Sequence, residues 1–489
     1  MRFNSGDFLI FFPVVTILYF VLKHRYRWLL LLTASCIFYM YFIPAYLLIL
    51  FLLILIDYTA ARMIASSDPN HRKLYLMVSI FSTCIALLIF KYFNFFNENF
   101  AFIANFFHCN YSIAALNLIL PIGLSFHTFQ SLSYVIEVYR GNQQPERKFG
   151  IYALYVMFYP QLVAGPIERP QNLLHQFYEK HEIDYDRVTS GLKQMLWGFF
   201  KKMVIADNLA MYADAVYNNP AHYHGNFQLI ATWCFAIQIY CDFSGYSDIA
   251  IGAAKVMGFS LMKNFDSPYS SRSVSEFWSR WHISLSTWFR DYVYIPLGGN
   301  QVSLLKWTFN IFIVFLVSGL WHGANWTFVI WGLLHGVFVI TEKYSFALRN
   351  KVKRITGLQH LSGLNSFLSV VITFNLVSFA WIFFRAKNLS TALEIVKSLQ
   401  FNPETFAMDF QTVWHQLAAQ ELHPVFPVFL IILLVIFAVA EWLIKSKRIQ
   451  LIENIFPKAI RWTLYYAMIA AIVLFGVYEA APTFIYFQF

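Results

Sequence analysis

The sequence predicts an all-α protein that crosses a membrane many times, and three observations support this. Of its 489 residues, 58% are hydrophobic and only 13% are charged, whereas an ordinary soluble domain is about 25% charged. The apolar residues form long uncharged runs, and a helix needs roughly 20 such residues to cross the hydrocarbon core. Basic residues lie in short loops between the runs, as the positive-inside rule describes. We expect about 10–12 membrane helices in a single multi-pass domain spanning 1–489.

The apolar runs are the candidate spans. The first has no basic region before it beyond Arg2 and no cleavage site after it, so we interpret it as a retained span rather than a signal peptide. Residues 185–205 mix lysines with apolar side chains, which is typical of an amphipathic helix in the membrane interface. The uncharged runs are 8–22, 28–56, 74–90, 111–136, 151–167, 226–241, 307–321, 324–341, 364–384, 424–440 and 462–478.

Two of these runs contain helix-breaking residues. The run 28–56 is too long for one straight span and is divided by Pro44. The run 111–136 is divided by Pro121 and Gly123. Because proline removes a backbone donor and clashes with the preceding turn, we expect a kink or two shorter helices at each position.

The charge pattern predicts how the chain is oriented. The loops after 341 and after 440 are basic, whereas the segment 388–423 between them is acidic. This alternation fits inside, outside, inside, with both termini outside. The net charge of +10 follows from these loops, so we expect no nucleic-acid partner. Five cysteines without a CxxC pair predict neither a disulfide framework nor a metal site.

Polar residues at membrane depth are costly and therefore mark candidate functional sites. The stretch 238–248 places two carboxylates, Asp242 and Asp248, beside an apolar run. It is typical of a polar cavity lining. The alternative is an interfacial loop in which Asp248 or Ser247 caps the next helix.

The stretch 275–292 combines three tryptophans with cationic side chains. The tryptophans cannot share one helical stripe, so a simple surface helix is disfavoured. Arg280, His282 and Arg290 are suited to binding an anionic group such as a phosphate, and Asp291 follows them directly. The alternative is an anchor of aromatic and basic residues at headgroup level.

His322 is the strongest candidate for catalysis. It lies between two apolar runs and is flanked by Gly319 and Gly323, which allow the helix to break. Broken backbone at membrane depth is tolerated only inside protein or beside water. A neutral imidazole is the usual general base near pH 7. The alternative is a histidine that bonds another helix or lies at an outer turn.

Two further histidines are expected to have structural roles. His335 would lie about 20 Å from His322 along a continuous helix, so we interpret it as a packing residue. For His127 we expect an interhelical hydrogen bond. The sequence contains no Gly-rich phosphate loop, no GxSxG elbow and no HExxH motif, so it does not support covalent catalysis through serine.

Five segments together resemble the membrane-bound O-acyltransferase family, and are most similar to its bacterial alginate O-acetylation branch. They occur in the order of that family, and the similarity extends to the closing FIYFQF at 484–489. The segments are LPIGLS at 120–125, YPQLVAGPI at 159–167, DFSGYSD at 242–248, RWHISLSTWFRDY at 280–292 and GLWHGANW at 319–326.

The resemblance implies a ring of helices around a thin centre reached from both faces. It implies that His322 is catalytic and that His282 has a supporting or gating role. It also implies acyl transfer across the membrane from a cytoplasmic thioester, which we expect to be acetyl-CoA used as a substrate, with no bound cofactor. Partner acetyltransferases in the periplasm would then modify an exported polysaccharide.

This chemistry agrees with the residues themselves. A base must take the proton of the attacking hydroxyl, and donors must stabilise the oxyanion. We assign the base to His322 and the donor to Trp321, Asn325 or a backbone N–H near Gly323. If both neighbouring runs were full spans, His322 would lie near the outer surface, so we expect at least one of them to be short or tilted.

Departures from the family pattern leave the acceptor open. Residue 127 is His where an aromatic is expected, and residue 137 is Glu where Asp is expected. Transfer of another acyl group, such as D-alanine from a carrier protein, is the alternative within the family. A transporter or a non-catalytic scaffold of an export complex are alternatives of other classes, but the concentration of polar residues in 238–335 favours neither.

Overall fold

A computed structural model describes residues 1–406, 408–409, 411–412, 434–441, 457–478 and 484–485. These residues form helices and connecting segments, and no strand occurs among them. The predicted all-α class is therefore confirmed. Most of the run 424–440 lies outside the described residues.

The chain is divided into two compact units. The first comprises Met1–Met195 with Tyr246–Lys263, and the second comprises Leu196–Gly245 with Asn264–Phe489. Both units contain segments that are distant in sequence. The interpretation of 1–489 as one functional domain stays a prediction.

Helices of the first unit begin and end largely where the sequence predicts. Pro44 divides its long run into two helices, and Gly123, at φ 78°, precedes the helix that follows the second interrupted run. The helices are α1 (Gly6–Val21), α2 (His24–Met40), α3 (Tyr46–Ser66), α4 (Pro69–Leu87), α5 (Phe93–Phe106), α6 (Leu124–Tyr139), α7 (Phe149–Met157), α8 (Pro170–Leu173) and α9 (Tyr185–Phe199), the last of which extends into the second unit.

Two apolar runs in this unit are not the spans that we expected. Residues 109–121 have no regular structure, although they are apolar. In the run 151–167 only α7 is helical, and the irregular backbone after it is almost wholly buried. Its amide groups find partners within the unit, as when Tyr159 N donates to Ser35 Oγ at 3.0 Å. Irregular backbone enclosed by protein is the arrangement that a membrane permits.

The second unit contains the candidate site. It is built from α10 (Asp207–Tyr217), α11 (Asn226–Met257, shared with the first unit), α12 (Val274–Arg280), α13 (Ile283–Phe289), α14 (Leu304–His322), α15 (Trp326–Tyr344), α16 (Phe346–Ile355), α17 (Ser362–Arg385), α18 (Leu389–Ser398) and α19 (Lys458–Phe475).

One alternative and one expectation for this region are wrong. Residues 238–248 do not form an interfacial loop, because α11 continues through them, and Asp248 and Ser247 cap no new helix. The lysine-containing end of 185–205 is not a surface face. Lys201 and Lys202 lie in a π-helix, Phe200–Ala206, and both are buried.

Five helical segments among the described residues are long and apolar enough to cross a membrane, and α1 is apolar but shorter. The chain is therefore a multi-pass membrane protein. The total number of spans and their arrangement around a thin centre stay predictions. The five segments are Tyr46–Ser66, Pro69–Phe106, Leu304–His322, Ser362–Arg385 and Lys458–Phe475.

Helices α14 and α15 form a closely packed hairpin, which glycines make possible. A Cβ added to Gly319 would overlap the carbonyl oxygen of Phe328, and one added to Gly332 would overlap that of Phe315. Small residues allow helix backbones to approach closely. This packing determines the position of His322, which is the last residue of α14.

Candidate active site

His322 is the last residue of α14 and is only 4% exposed. Three aromatic rings surround its imidazole: Trp331 at 4.7 Å, Trp321 at 4.8 Å and Phe384 at 5.5 Å between centroids. Both α14 and α15 have 19 residues, about 28 Å each. The expectation that one of them is short or tilted relative to the membrane stays a prediction. His322 is shielded by aromatic packing.

The predicted helix break follows His322 directly. Gly323 is extended, and a Cβ there would overlap the Phe328 ring. Asn325 is the N-cap of α15: its Oδ1 accepts from Thr327 N at 3.0 Å, and its Nδ2 donates to Lys387 O at 3.2 Å. Asn325 thus holds the start of α15, and its proposed oxyanion contact stays a prediction.

His282 connects α12 to α13 in a strained backbone conformation. Its φ of 45° and ψ of 55° lie in the left-handed region, which is uncommon for residues other than glycine and is concentrated at functional sites. The side chain is fully buried against Phe243, with ring centroids 4.7 Å apart. Burial lowers the pKa of His282 to about 3, so the imidazole is neutral near pH 7.

Trp321 lies between the two histidines. Its ring centroid is 6.4 Å from that of His282 and 4.8 Å from that of His322. The structure therefore brings together three residues that the sequence predicts for the site, although 40 positions separate the histidines. A neutral imidazole beside an indole N–H is an arrangement that can accept a proton and stabilise a developing oxyanion.

Buried tryptophans hold this group in place. Trp331 and Trp381 stack with centroids 5.6 Å apart, and Trp281 lies 5.2 Å from Trp381. All three are essentially inaccessible to solvent. Trp331 and Trp381 could not be selected from the sequence, because a tryptophan in an apolar run has the same local pattern whether it faces a site or lipid.

His335 has the packing environment that we expected. Its Nδ1 accepts from Trp278 Nε1 at 3.2 Å, and its ring is fully buried. His127, in the first unit, is buried on α6 and contacts Tyr39 of α2 at 6.1 Å between centroids. Both side chains join neighbouring elements.

The three charged residues predicted to bind substrate take part in ion pairs. Arg280 contacts Glu276 at 2.9 Å and Asp266 at 3.8 Å. Arg290 contacts the adjacent Asp291 at 2.8 Å, and its side chain is 58% exposed. Arg290 is thus accessible, and Arg280 is mostly enclosed. Their role toward an anionic group stays a prediction.

A buried charge cluster adjoins the site. Lys202 Nζ lies 2.8 Å from Asp207 Oδ1 and 2.7 Å from Asp242 Oδ1. Asp242 Oδ2 also accepts from Ile485 N at 2.9 Å, and Phe484 packs on Phe243 at 5.8 Å between centroids. Lys202 and Asp242 each have a signal in the sequence, since each is a charged residue embedded in an apolar segment. Nothing in the sequence indicates that they pair.

Comparison with known proteins gives a family match and several relatives. The model of the membrane-bound O-acyltransferase family matches residues 148–374, which include both histidines. The chain is 39% identical to the probable alginate O-acetylase AlgI of Pseudomonas aeruginosa, over 82% of this chain and 75% of that protein. It is 37% identical to the peptidoglycan O-acetyltransferase of Helicobacter pylori, over 82% and 80%.

A more distant relative transfers a different group. The teichoic acid D-alanyltransferase of Bacillus subtilis is 28% identical over 55% of this chain and 70% of that protein. All three relatives are named for acyl transfer to a polymer. The similarity to the two acetyl-transferring relatives covers most of their length and of this chain. The chain therefore belongs to the membrane-bound O-acyltransferase family and is an acyltransferase.

Proposed function

We propose that this enzyme moves an acetyl group from acetyl-CoA in the cytoplasm across the membrane, for O-acetylation of an exported polysaccharide. The observation that carries the proposal is the position of His322. It lies at a helix break, is shielded from solvent, and is linked through Trp321 to the strained His282. Acyl transfer requires a base protected from competing water.

The chemical step follows from a histidine that acts as general base. His322 takes the proton of the acceptor hydroxyl as its oxygen attacks the thioester carbonyl, forming a tetrahedral oxyanion. The oxyanion collapses to the ester, and the thiolate leaves and takes up the proton from the imidazolium. In this step the indole N–H of Trp321, or the side chain of Asn325, donates to the oxyanion.

His282 is given a positioning role rather than a chemical one. Its imidazole is neutral and enclosed, and its ring faces Trp321 and Phe243. Arg280, Arg290 and Asp291 are assigned to the donor: the exposed guanidinium of Arg290 is suited to a coenzyme phosphate, while Asp291 orients it.

The acceptor is an exported polysaccharide, and alginate is our first candidate. Two relatives of similar identity are named for alginate and for peptidoglycan, and both of these polymers are glycans. We expect a periplasmic acetyltransferase partner to complete transfer to the polymer. The location would be a bacterial inner membrane with both termini outside, as the basic loops favour.

D-alanyl transfer is the second candidate function, favoured by the similarity to the teichoic acid enzyme. It would need a folded carrier protein docked on the cytoplasmic face. The lower identity and coverage of that relative make acetyl transfer the first choice. The sequence left a transporter and a scaffold as alternatives. Membership of the acyltransferase family favours an enzyme over both.

The experiment measures acetyl incorporation into exported glycan in wild type and His322→Ala, at matched membrane levels. The control is His360→Ala, which makes the same substitution at an exposed histidine. We expect loss of acetylation for His322→Ala alone, with glycan export unchanged. Unchanged acetylation in a strain without a redundant enzyme would remove His322 from the mechanism. D-alanine incorporation without acetate would establish the second function instead.

A further inference from the structure

A cavity in the second unit, at the end of the α14–α15 hairpin opposite His322, combines apolar and charged walls. Its volume is about 310 Å³. It lies where the start of α14, the end of α15 and the start of α16 meet. The lining residues are Ser275, Trp307, Val339, Glu342, Lys343, Phe346 and Arg349.

The charges of the cavity favour an anion. Lys343 and Arg349 supply two cationic side chains at its mouth. In the described part of the chain, Glu342 is the only acidic side chain that lines it. Glu342 Oε2 accepts from Ser275 N at 3.1 Å, so this carboxylate already has a partner within the wall. The neighbouring turns of α16 add Lys351 and Lys353 to the positive potential.

The apolar walls favour an acyl chain beside that anion. Trp307 and Val339 belong to a buried hydrophobic cluster and would contact a chain that runs along α14 and α15. Phe346 is 61% exposed at the cavity mouth. The cavity is separate from the buried histidine site, because it lies at the end of the hairpin opposite His322.

Helix α16 has the pattern of a segment that lies in a membrane surface. Leu348, Val352 and Ile355 follow a spacing of four and three residues, which places them on one face, and all three are exposed. The opposite face carries basic residues. Such a helix buries its apolar face at the headgroup boundary, and the basic loop after 341 is the one that the positive-inside rule places in the cytoplasm.

We propose that this cavity is a binding site for an anionic phospholipid of the cytoplasmic leaflet. The headgroup phosphate lies between Lys343 and Arg349, and an acyl chain lies along Trp307 and Val339. Basic pockets at the cytoplasmic ends of membrane helices bind anionic headgroups in this way. The proposal concerns a different part of the protein from the acyl-transfer site and does not depend on the choice of acyl group.

The test is native mass spectrometry of the purified full chain, with phosphatidylglycerol or phosphatidylcholine as the added lipid. We expect wild type to retain phosphatidylglycerol at least about tenfold more strongly than phosphatidylcholine, because the two basic side chains attract an anionic headgroup. Lys343→Gln with Arg349→Gln should bring the two lipids close to parity. Lys351→Gln with Lys353→Gln removes the same charge outside the cavity and should retain most of the preference.

Folding and ligand identity have their own controls. Arg349 also donates to the Glu342 carbonyl oxygen at 2.7 Å, so Arg349→Lys, which keeps the charge, should keep lipid preference near that of wild type. Equal losses for both double variants would overturn the cavity as the site. Displacement of phosphatidylglycerol by coenzyme A or inorganic phosphate at equal concentration would overturn a lipid as the ligand.

Discussion

The imidazole of His322 is edge-on to the indole of Trp331, with ring centroids 4.7 Å apart and planes inclined by 86°. Trp331 is in turn stacked on Trp381. Edge-to-face contacts of this kind hold rings in a defined orientation. The orientation of the candidate base therefore depends on a tryptophan one helix further along the chain, rather than on α14 alone.

Replacing Trp331 with Phe should reduce acyl transfer while the protein still folds. The smaller ring no longer fills the contact with His322, and misplacement by about 1 Å can cost about 100-fold in rate. We expect a fall of about 10- to 100-fold in kcat, with a smaller change in KM. Turnover in proteoliposomes checks this. Wild-type kcat in Trp331→Phe would show that the indole does not position the base.

Replacing Gly319 with Ala should destabilise the α14–α15 hairpin. The added methyl group would meet the Phe328 carbonyl oxygen, and overpacking of this kind costs about 1–3 kcal/mol. Gly363→Ala is the matched control, because nothing lies within 4 Å of its added Cβ. Thermal unfolding in detergent compares the two. A melting temperature for Gly319→Ala equal to that of Gly363→Ala would contradict the close approach.

Replacing Lys202 with Met should strongly destabilise the second unit. Burial opposes the charge, but the carboxylates of Asp242 and Asp207 outweigh it and raise the pKa of Lys202 to about 12. Removing one partner of a buried ion pair costs about 3–5 kcal/mol, because the remaining charges lose compensation. The double variant Lys202→Met with Asp242→Asn should recover part of the lost stability. Thermal unfolding of the single and double variants checks this.

The same pair predicts a loss of stability in strong alkali. The pKa of Lys202 is higher in the folded state than its ordinary value of 10.5. The contribution of Lys202 to the free energy of unfolding is therefore complete below pH 10.5 and decreases as the pH rises through about 12. If Lys202→Met unfolds with the same pH dependence as wild type above pH 10, the ion pair does not stabilise the fold.

His282 should make wild type less stable in acid. Its pKa is lowered by burial from 6.5 to about 3, so between these values the unfolded chain binds a proton that the folded one does not. Stability should therefore fall as the pH is lowered through this window. His282→Asn, which tolerates the left-handed backbone, should show a smaller fall in melting temperature between pH 7.5 and 4.5.

A second variant separates backbone strain from titration at this position. His282→Ala loses the same imidazole but adds a cost of about 1–2 kcal/mol for alanine in the left-handed region. It should melt below His282→Asn at both pH values. Equal melting temperatures would indicate that the backbone relaxes out of this conformation.

The helical class and the membrane setting were predictable from local pattern. So were the individual candidates His282, Trp321 and His322. Hydrophobic runs reflect the bilayer thickness directly, and Pro44 and Gly123 break helices through their own backbone chemistry. His322 could be selected because a histidine between glycines in an apolar run has few structural reasons to be there. The length of the apolar run 151–167 was not enough to predict a membrane span, because an apolar segment can be buried by protein as readily as by lipid.

Only the tertiary structure decided which of these residues meet. Trp321 contacts His282, 39 positions away, and Lys202 pairs with Asp242, 40 positions away. Asp242 in turn accepts from Ile485 N, 243 positions away, and Trp331 contacts His322 from the next helix. Such contacts depend on how helices pack, and packing is determined by the combined shape and burial of many side chains rather than by any local spacing. The sequence therefore determined the kind of protein and its candidate base, while packing determined the group of side chains around that base.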